Sequence, residues 1–398
     1  MTRQPNLKWA ILSLALGAFA IGTSEFAAMG LLPWFAADLG ITDPQGGHVI
    51  SAYALGVVVG APLTSILGAR LPRRRYLAAL IAIYGVFNLL AAALPGFHTL
   101  VATRFLAGLP HGGFLGVAML FAADSLPREQ RAKGVTYVLL GLTVANIAGV
   151  PLAGALGQGI GWRWGFALPG LIALVASVLI LKLAPRVGVD PNARPFEELK
   201  ALRNPSVILT LLVGAIGFGG LFAVYAYLSA AMLATTQAPS WAVPLALSAF
   251  GIGGTLGSIG AARLTIRLGI FRAAFVLMVF MAATQAFASY AVGSWQLMVA
   301  SSFLLGLGSG MVVPLQTRLM DVAGRAQSMA AAMNHAAFNA ANALGPWLAG
   351  LALAAGWGWR SSGLVGVALS AAGLVALWLT WRHARLEGSL VKQDAPRS

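Results

Sequence analysis

The sequence predicts an all-α membrane protein with about twelve transmembrane helices in two pseudo-symmetric six-helix bundles. Composition is the first reason: of 398 residues, 59% are hydrophobic and 9% are charged, whereas a soluble domain is charged at about a quarter of its positions. No soluble fold can cover that much apolar surface. Periodicity is the second, because apolar runs recur roughly every thirty residues and most reach the ~20 residues that cross a ~30 Å hydrocarbon core. The third is a weak internal repeat. Ala145-Asn146, Gly149 and Leu152-Ala153-Gly154 recur as Ala341-Asn342, Gly345 and Leu348-Ala349-Gly350. Arg70 likewise matches Arg267, Phe105 and Gly108 match Phe303 and Gly306, and Trp162-Arg163 matches Trp359-Arg360. Parallel repeats of six spans place a substrate site between the halves near mid-membrane.

In chain order, spans are expected near 9–33, 47–68, 75–95, 99–123, 134–157, 164–184, 206–233, 241–263, 271–292, 296–319, 327–355 and 360–381. The first follows Arg3 and Lys8 as a signal peptide would, but its length and polar flanks identify a retained helix. Both tails and the even-numbered connections hold every Lys and Arg, Arg318 among them, except Arg104, Arg163 and Arg360. Basic residues are retained on the cytoplasmic side during insertion, so both termini are expected inside. The longest hydrophilic stretch, 185–205, carries Asp190, Glu197, Glu198 and Lys200 and follows the sixth span. It divides the chain into a bundle at 1–184, a cytoplasmic linker, and a second bundle with its tail at 206–398.

Several function classes drop out on composition. The absence of cysteine removes disulfide frameworks, thiolate metal sites and thiol nucleophiles. The formal charge of +15 lies in short clusters between apolar runs, without the basic tract or stacked aromatics of a nucleic-acid binder. Five scattered histidines and one deep acid do not make a catalytic constellation, so no enzyme is expected. No GxxxxGK[ST] segment occurs, which argues against ATP as the energy source.

Four segments carry a family resemblance over essentially the whole chain. Leu67-Gly68-Ala69-Arg70-Leu71-Pro72-Arg73-Arg74-Arg75 resembles the cytoplasmic loop motif of the major facilitator superfamily, with Ala69 where the motif has Asp and Pro72 where it has its second Gly. Arg104 through Gly108 with Gly112 resembles that family's membrane-embedded Arg motif. Gly149-Val150-Pro151-Leu152-Ala153-Gly154 is similar to the antiporter signature of the fifth span, echoed by Gly345-Pro346. The run from Gly22-Thr23-Ser24-Glu25-Phe26 to Pro33 is similar to the first span of efflux permeases. The resemblance is closest to the drug:proton antiporter branch and its arabinose-inducible efflux permeases. It implies a monomeric, multi-pass inner-membrane exporter of small, lipophilic molecules, driven by the proton gradient and free of cofactors. Sugar efflux on the same fold is the alternative, and a nontransporting receptor is the alternative of another class.

Among the eleven acidic residues, Glu25 alone lies inside an expected span away from a cytoplasmic end. An intramembrane carboxylate is costly and by default marks a cavity or ion path. Its proton affinity changes with solvation and with a nearby cation, so it can serve proton coupling. Arg104 is the one base far from a span end, and at ~1.5 Å per residue both fall in the outer half, where they can meet. A wetted Glu25 with Arg104 tying down helix ends is the competing reading. His111 follows Arg104 by two turns and shares its face, either as a proton relay or as a neutral hydrogen-bonding group.

His335, Asn339 and Asn342 form a stripe on the eleventh span, and Asn146 is the first-half counterpart of Asn342. Such groups bind ligand hydroxyls and carbonyls, or join membrane helices. Tyr53, Tyr225, Tyr227 and Gln316 are further lining positions, or packing. Gly149, Pro151 and Gly154 allow the fifth span to bend or pack closely. Asp124 is expected to pair with Arg70 or Arg131, and Asp321 with Arg267 or Arg325, latching one conformation. Cytoplasmic activity of reporters fused within 185–205 and after the last residue is the expected outcome; activity outside overturns the orientation.

Overall fold

The structure, a computed structural model, describes residues 7–68, 71–127, 130–185, 203–323 and 327–388. Every regular element among them is helical. The first six rods are α1 Leu7–Leu39, α2 Asp43–Gly68, α3 Arg73–Ala93, α4 Phe97–Asp124, α5 running from Arg131–Val144 through to Val150–Gly159, and α6 Arg163–Leu183. The others are α7 from Pro205–Leu212 to Leu228–Thr235, α8 Ala242–Leu268, α9 Ile270–Ala291, α10 from Trp295–Gly308 to Val312–Val322, α11 Gln327–Ala354 and α12 Ser361–Leu386. Eleven of these rods are long and apolar enough to cross a membrane. The remaining one, α11, has the length, but Asn334, His335, Asn339 and Asn342 make it more polar.

Several rods outrun the apolar runs that predict them. Helix α1 continues past Pro33 to Leu39, because Phe35 and Ala36 are still buried and Phe35 packs edge-on against Trp162, 6.0 Å between centroids. It stops at Gly40, whose φ of 64° lets Ile41 N–H return to Ala36 C=O at 3.0 Å. Helix α5 carries a π-helical segment at Ala145–Gly149, immediately before buried Pro151. A helical proline cannot donate to the carbonyl four residues back. That carbonyl, of Ile147, instead accepts a hydrogen bond from the Ser248 hydroxyl at 3.4 Å. Helix α7 has a second π segment at Val213–Gly217, and α10 narrows to a 3-10 turn at Ser309–Met311.

The chain falls into two compact units, Met1–Pro195 with Ala238–Ser248, and Phe196–Gln237 with Ala249–Ser398. Most of the expected linker at 185–205 lies outside the described residues. In the first unit α2 packs on α4, α3 on α4 and α6, and α1 on α5 and α6. In the second, α9 packs on α10 and α12, and α7 on α11 and α12. Outward positions such as Ile83, Val86, Leu171, Val175, Phe275 and Val279 are exposed yet apolar, as a lipid-facing surface requires.

The repeat read in the sequence reappears as a helix crossing. A Cβ on Gly56 would collide with the Phe105 carbonyl and one on Gly108 with the Tyr53 carbonyl, so α2 and α4 touch backbone to backbone. At the equivalent places, Gly253 faces the Phe303 carbonyl and Gly306 the Phe250 carbonyl, bringing α8 onto α10 in the same way. Small residues permit this approach, which is how membrane helices gain packing energy where no hydrophobic force joins them. Gly108→Leu and Gly306→Leu are each expected to cost about 1–3 kcal/mol or more through overpacking. Unchanged melting of either detergent-purified variant would count against the crossing.

Candidate functional site

Helix α4 carries Arg104 into the first unit with a relative exposure of 0%. Taking a cation out of water costs several kcal/mol unless its donors are met. Two neighbouring helices meet them. One terminal nitrogen donates to Ser24 Oγ at 2.9 Å and to Asn88 Oδ1 at 3.1 Å, and the other to the Ser24 carbonyl at 3.2 Å. The Ser24 hydroxyl in turn donates to Asn88 Oδ1, while the Asn88 amide donates to the Tyr84 carbonyl at 2.9 Å, fixing the way the amide faces. Nε makes no hydrogen bond. Aromatic rings sit close to the guanidinium instead, with its central carbon 4.2 Å from the Tyr53 centroid and 4.9 Å from that of Phe166.

Glu25 follows Ser24 on α1, is buried, and lies within electrostatic range of Arg104, Tyr53 and Tyr84. His111, also buried, reaches the Tyr53 hydroxyl through Nδ1 at 2.9 Å. Tyr53 is 3.4 Å from the Tyr84 hydroxyl, which donates to the Ile21 carbonyl at 3.2 Å. A single polar cluster thus draws on α1, α2, α3 and α4, backed by Phe166 of α6. The structure thus brings together Glu25, Arg104, His111 and Tyr53, which the sequence singled out, with Ser24, Tyr84, Asn88 and Phe166, to which it assigned no role. The signal that could have found Asn88 is its place as the one amide in α3, amid the apolar run that follows the arginines of its first turn.

The remaining polar positions are spread over both units. Asn146 is half-buried in the π segment of α5. In the second unit Asn339 and Asn342 are buried and His335 half-buried on α11; the Asn339 amide donates to the His335 carbonyl at 3.0 Å. Gln316 accepts from Asn334 at 2.5 Å, an amide pair between α10 and α11. Tyr225 stacks on Phe250 at 4.0 Å, and Tyr227 donates to the Pro346 carbonyl at 3.0 Å. Among the described residues no group of three or more His, Asp or Glu could hold a metal ion.

At the end of α4, Asp124 pairs with Arg73 at 2.6 Å and lies 3.9 Å from Arg131; Arg70, the other expected partner, is outside the described residues. Pro72 stands at the start of α3 and makes Arg73 its first residue, which aims this base at Asp124. Asp321 and Arg267 are exposed, and Arg325 is outside the described residues. Arg318 corrects the reading of it as a loop base: it lies inside Val312–Val322 with 2% exposure, 5.2 Å over the Phe271 ring and in electrostatic range of Asp321. A Cβ on Gly149 would collide with the Thr23 hydroxyl, and one on Gly154 would come 3.1 Å from a Leu247 methyl. At the opposite end of the first unit, Asp38 accepts from Arg163 at 2.6 Å and from Trp162 Nε1 at 3.0 Å.

Long apolar rods around a buried, hydrogen-bonded cation define a multi-pass membrane protein with a polar cluster in its interior. Residues 14–282 and 227–397 match the family model described as Major Facilitator Superfamily, and the chain belongs to that family of secondary transporters of small molecules. It is 35% identical over 381 residues to the inner membrane transport protein YdhP of Escherichia coli (strain K12), covering 95% of this chain and 97% of that one. It is 34% identical over 369 residues to a chloramphenicol resistance protein of Streptomyces lividans, covering 89% and 93%. Its fold is similar to the crystal structure of a variant of the nucleoside transporter NupG, with a TM-score of 0.73 at 16% identity, over 94% of this chain and 100% of that one.

Removing either acceptor strands a guanidinium proton in a buried site, and an unmet buried donor costs about 1–3 kcal/mol. Ser24→Ala and Asn88→Ala are expected to lower thermal stability by that amount each. Because they share one partner, the double variant should lose less than the sum. Additive losses in a double-mutant cycle would show that the network does not act as a unit.

Proposed function

We propose that the protein is a proton-coupled exporter of small, lipophilic molecules in the bacterial inner membrane, working by alternating access. It acts as a monomer with both termini cytoplasmic, its twelve helices forming two pseudo-symmetric six-helix bundles joined by 185–205. The observation that carries the coupling is Glu25, a buried carboxylate beside the fixed cation of Arg104. While ionised, Glu25 offsets the charge of Arg104. On taking a proton it leaves that charge to the neutral dipoles of Ser24 and Asn88 and to the Tyr53 and Phe166 faces. A conformational change that wets or dries the carboxyl therefore loads or releases a proton. His111, linked through Tyr53, is the second proton-handling group.

The cargo follows from the composition of the interior and from kinship. A deep acid amid apolar helices suits neutral or monocationic lipophilic compounds, and the similarity to a protein named for chloramphenicol resistance supports such a cargo. Asn146, Gln316, His335, Asn339, Asn342, Tyr53 and Tyr225 supply the polar lining. Efflux of sugars or their derivatives is the second reading, favoured by the carbonyl oxygens of Asn146 and Asn339, buried atoms without a hydrogen-bond partner that could accept from hydroxyls. Gating is assigned to Arg70, Asp124, Arg267 and Asp321 at the cytoplasmic ends and to Gly149, Pro151 and Gly154 in α5.

Glu25→Gln keeps size and hydrogen bonding but cannot titrate. In inverted vesicles it is expected to reduce proton-driven uptake of labelled chloramphenicol to background while substrate exchange persists, and Arg104→Ala is expected to move the pH dependence of transport. Undiminished proton-driven uptake by Glu25→Gln would sink the coupling role.

A further inference from the structure

Tyr53 has one hydroxyl proton and two places to put it. His111 Nδ1 is 2.9 Å away and Tyr84 Oη 3.4 Å away. The Tyr84 hydroxyl donates to the Ile21 carbonyl at 3.2 Å, which leaves its oxygen to accept from Tyr53. A neutral imidazole has one bare nitrogen, and both nitrogens become donors when it is charged. Tyr53 therefore gives its proton to Nδ1 while that nitrogen is bare. Once Nδ1 carries a proton, Tyr53 must accept from it and turn its own proton toward Tyr84.

We propose, building on the reading of this cluster as the proton-handling site, that Tyr53 is a positioning residue. It holds resting His111 with Nδ1 bare and the proton on Nε2, and its hydroxyl reverses when His111 is charged. The contact to Nδ1 is the shorter of the two, and in the proposed resting state it carries the Tyr53 proton. Tyr53 is held for this role by packing as well as by bonds. Its ring lies under the Arg104 guanidinium at 4.2 Å, and the close approach of α2 to α4 places its backbone carbonyl against Gly108. The reversal ends at the Tyr84 hydroxyl, which itself donates to the Ile21 carbonyl of α1, one helical turn before Glu25.

The charged and titratable groups that the surrounding helices bring into this cluster include Tyr53 on α2, Tyr84 on α3, Glu25 on α1 and Arg104 on α4 itself. Helix α5, which also packs on α4, contributes Arg131, Lys133 and Tyr137, all exposed. Tyr76 of α3 is committed to the Thr64 carbonyl.

The test needs neither cargo nor gradient, so it stands apart from the question of whether Glu25 couples transport. Protein labelled with 15N-histidine is studied by NMR in nanodiscs across pH, with the His111 signals identified by their loss in His111→Gln. At alkaline pH the wild type is expected to show a bare, hydrogen-bonded Nδ1. Tyr53→Phe keeps the ring beneath Arg104 and removes only the hydroxyl. It should change the ratio of the two neutral tautomers several-fold and shift the titration midpoint, whereas Tyr84→Phe should leave the alkaline tautomer as it is and shift the midpoint alone. Should Tyr53→Phe not fold, 3,5-difluorotyrosine at position 53, a stronger donor, is expected to move the Nδ1 resonance further in the hydrogen-bonded direction. An Nδ1 that is protonated at alkaline pH in the wild type, or His111 signals indifferent to these changes, would overturn the assignment.

Discussion

A guanidinium cannot shed its charge inside a protein, and in the membrane interior it has no water to fall back on. Arg104 therefore dictates much of what surrounds it. Its terminal nitrogens need acceptors, supplied by the Ser24 hydroxyl and carbonyl and by Asn88, and its planar faces need polarisable cover, supplied by Tyr53 and Phe166. Those contacts reach α1, α2, α3 and α6 from α4, so satisfying one side chain fixes the mutual placement of five helices. The glycines of the α2–α4 crossing belong to the same constraint. Gly108 lies one turn after Arg104 and touches the carbonyl of Tyr53, so the approach that buries the glycine also presses the tyrosine ring toward the cation.

Hydropathy made the rods legible, because a long apolar run in a chain with 9% charge has few other places to go. It did not give their ends. Helix α1 runs to Leu39 on the strength of tertiary contacts between Phe35 and Trp162, which no local window contains. The α11 stripe was legible as polar, and that polarity is what keeps α11 from matching its neighbours in hydropathy. Arg318 was misplaced because a base near the end of an apolar run reads as a loop base, although a half-buried aromatic neighbour, Phe271, can hold it inside the helix.

Glu25, Arg104 and His111 stood out in the sequence because ionisable residues are rare in apolar spans. Ser24 and Asn88, which bear the hydrogen bonds, did not stand out, since neutral polar residues are common between membrane helices. The partner of Asp124 depended on helical register. Three successive arginines, Arg73 to Arg75, point in three directions, and only the start of α3 after Pro72 decides that the first of them meets the carboxylate.

The internal repeat conserves packing and discards chemistry. Gly56 and Gly108 have their counterparts in Gly253 and Gly306, with the same backbone contacts. The cluster between them does not repeat. Where α4 has Arg104 just before Phe105, α10 has Ser302 just before Phe303, and at the period that relates Arg70 to Arg267, Glu25 becomes Phe222 and Asn88 becomes Gln285. Gln285 is fully buried and accepts from Ser370 at 2.8 Å, a neutral pair where the first half holds a cation. Each buried charge adds a desolvation cost of several kcal/mol, whereas a close glycine crossing carries no such electrostatic cost. The shared glycine crossing can therefore stand in both halves while the charged cluster of Glu25 and Arg104 stands in the first, the second burying its cation elsewhere, at Arg318. Under the proposed reading, the first half handles the proton, and the amides of α10 and α11 in the second meet the cargo together with Asn146 of α5.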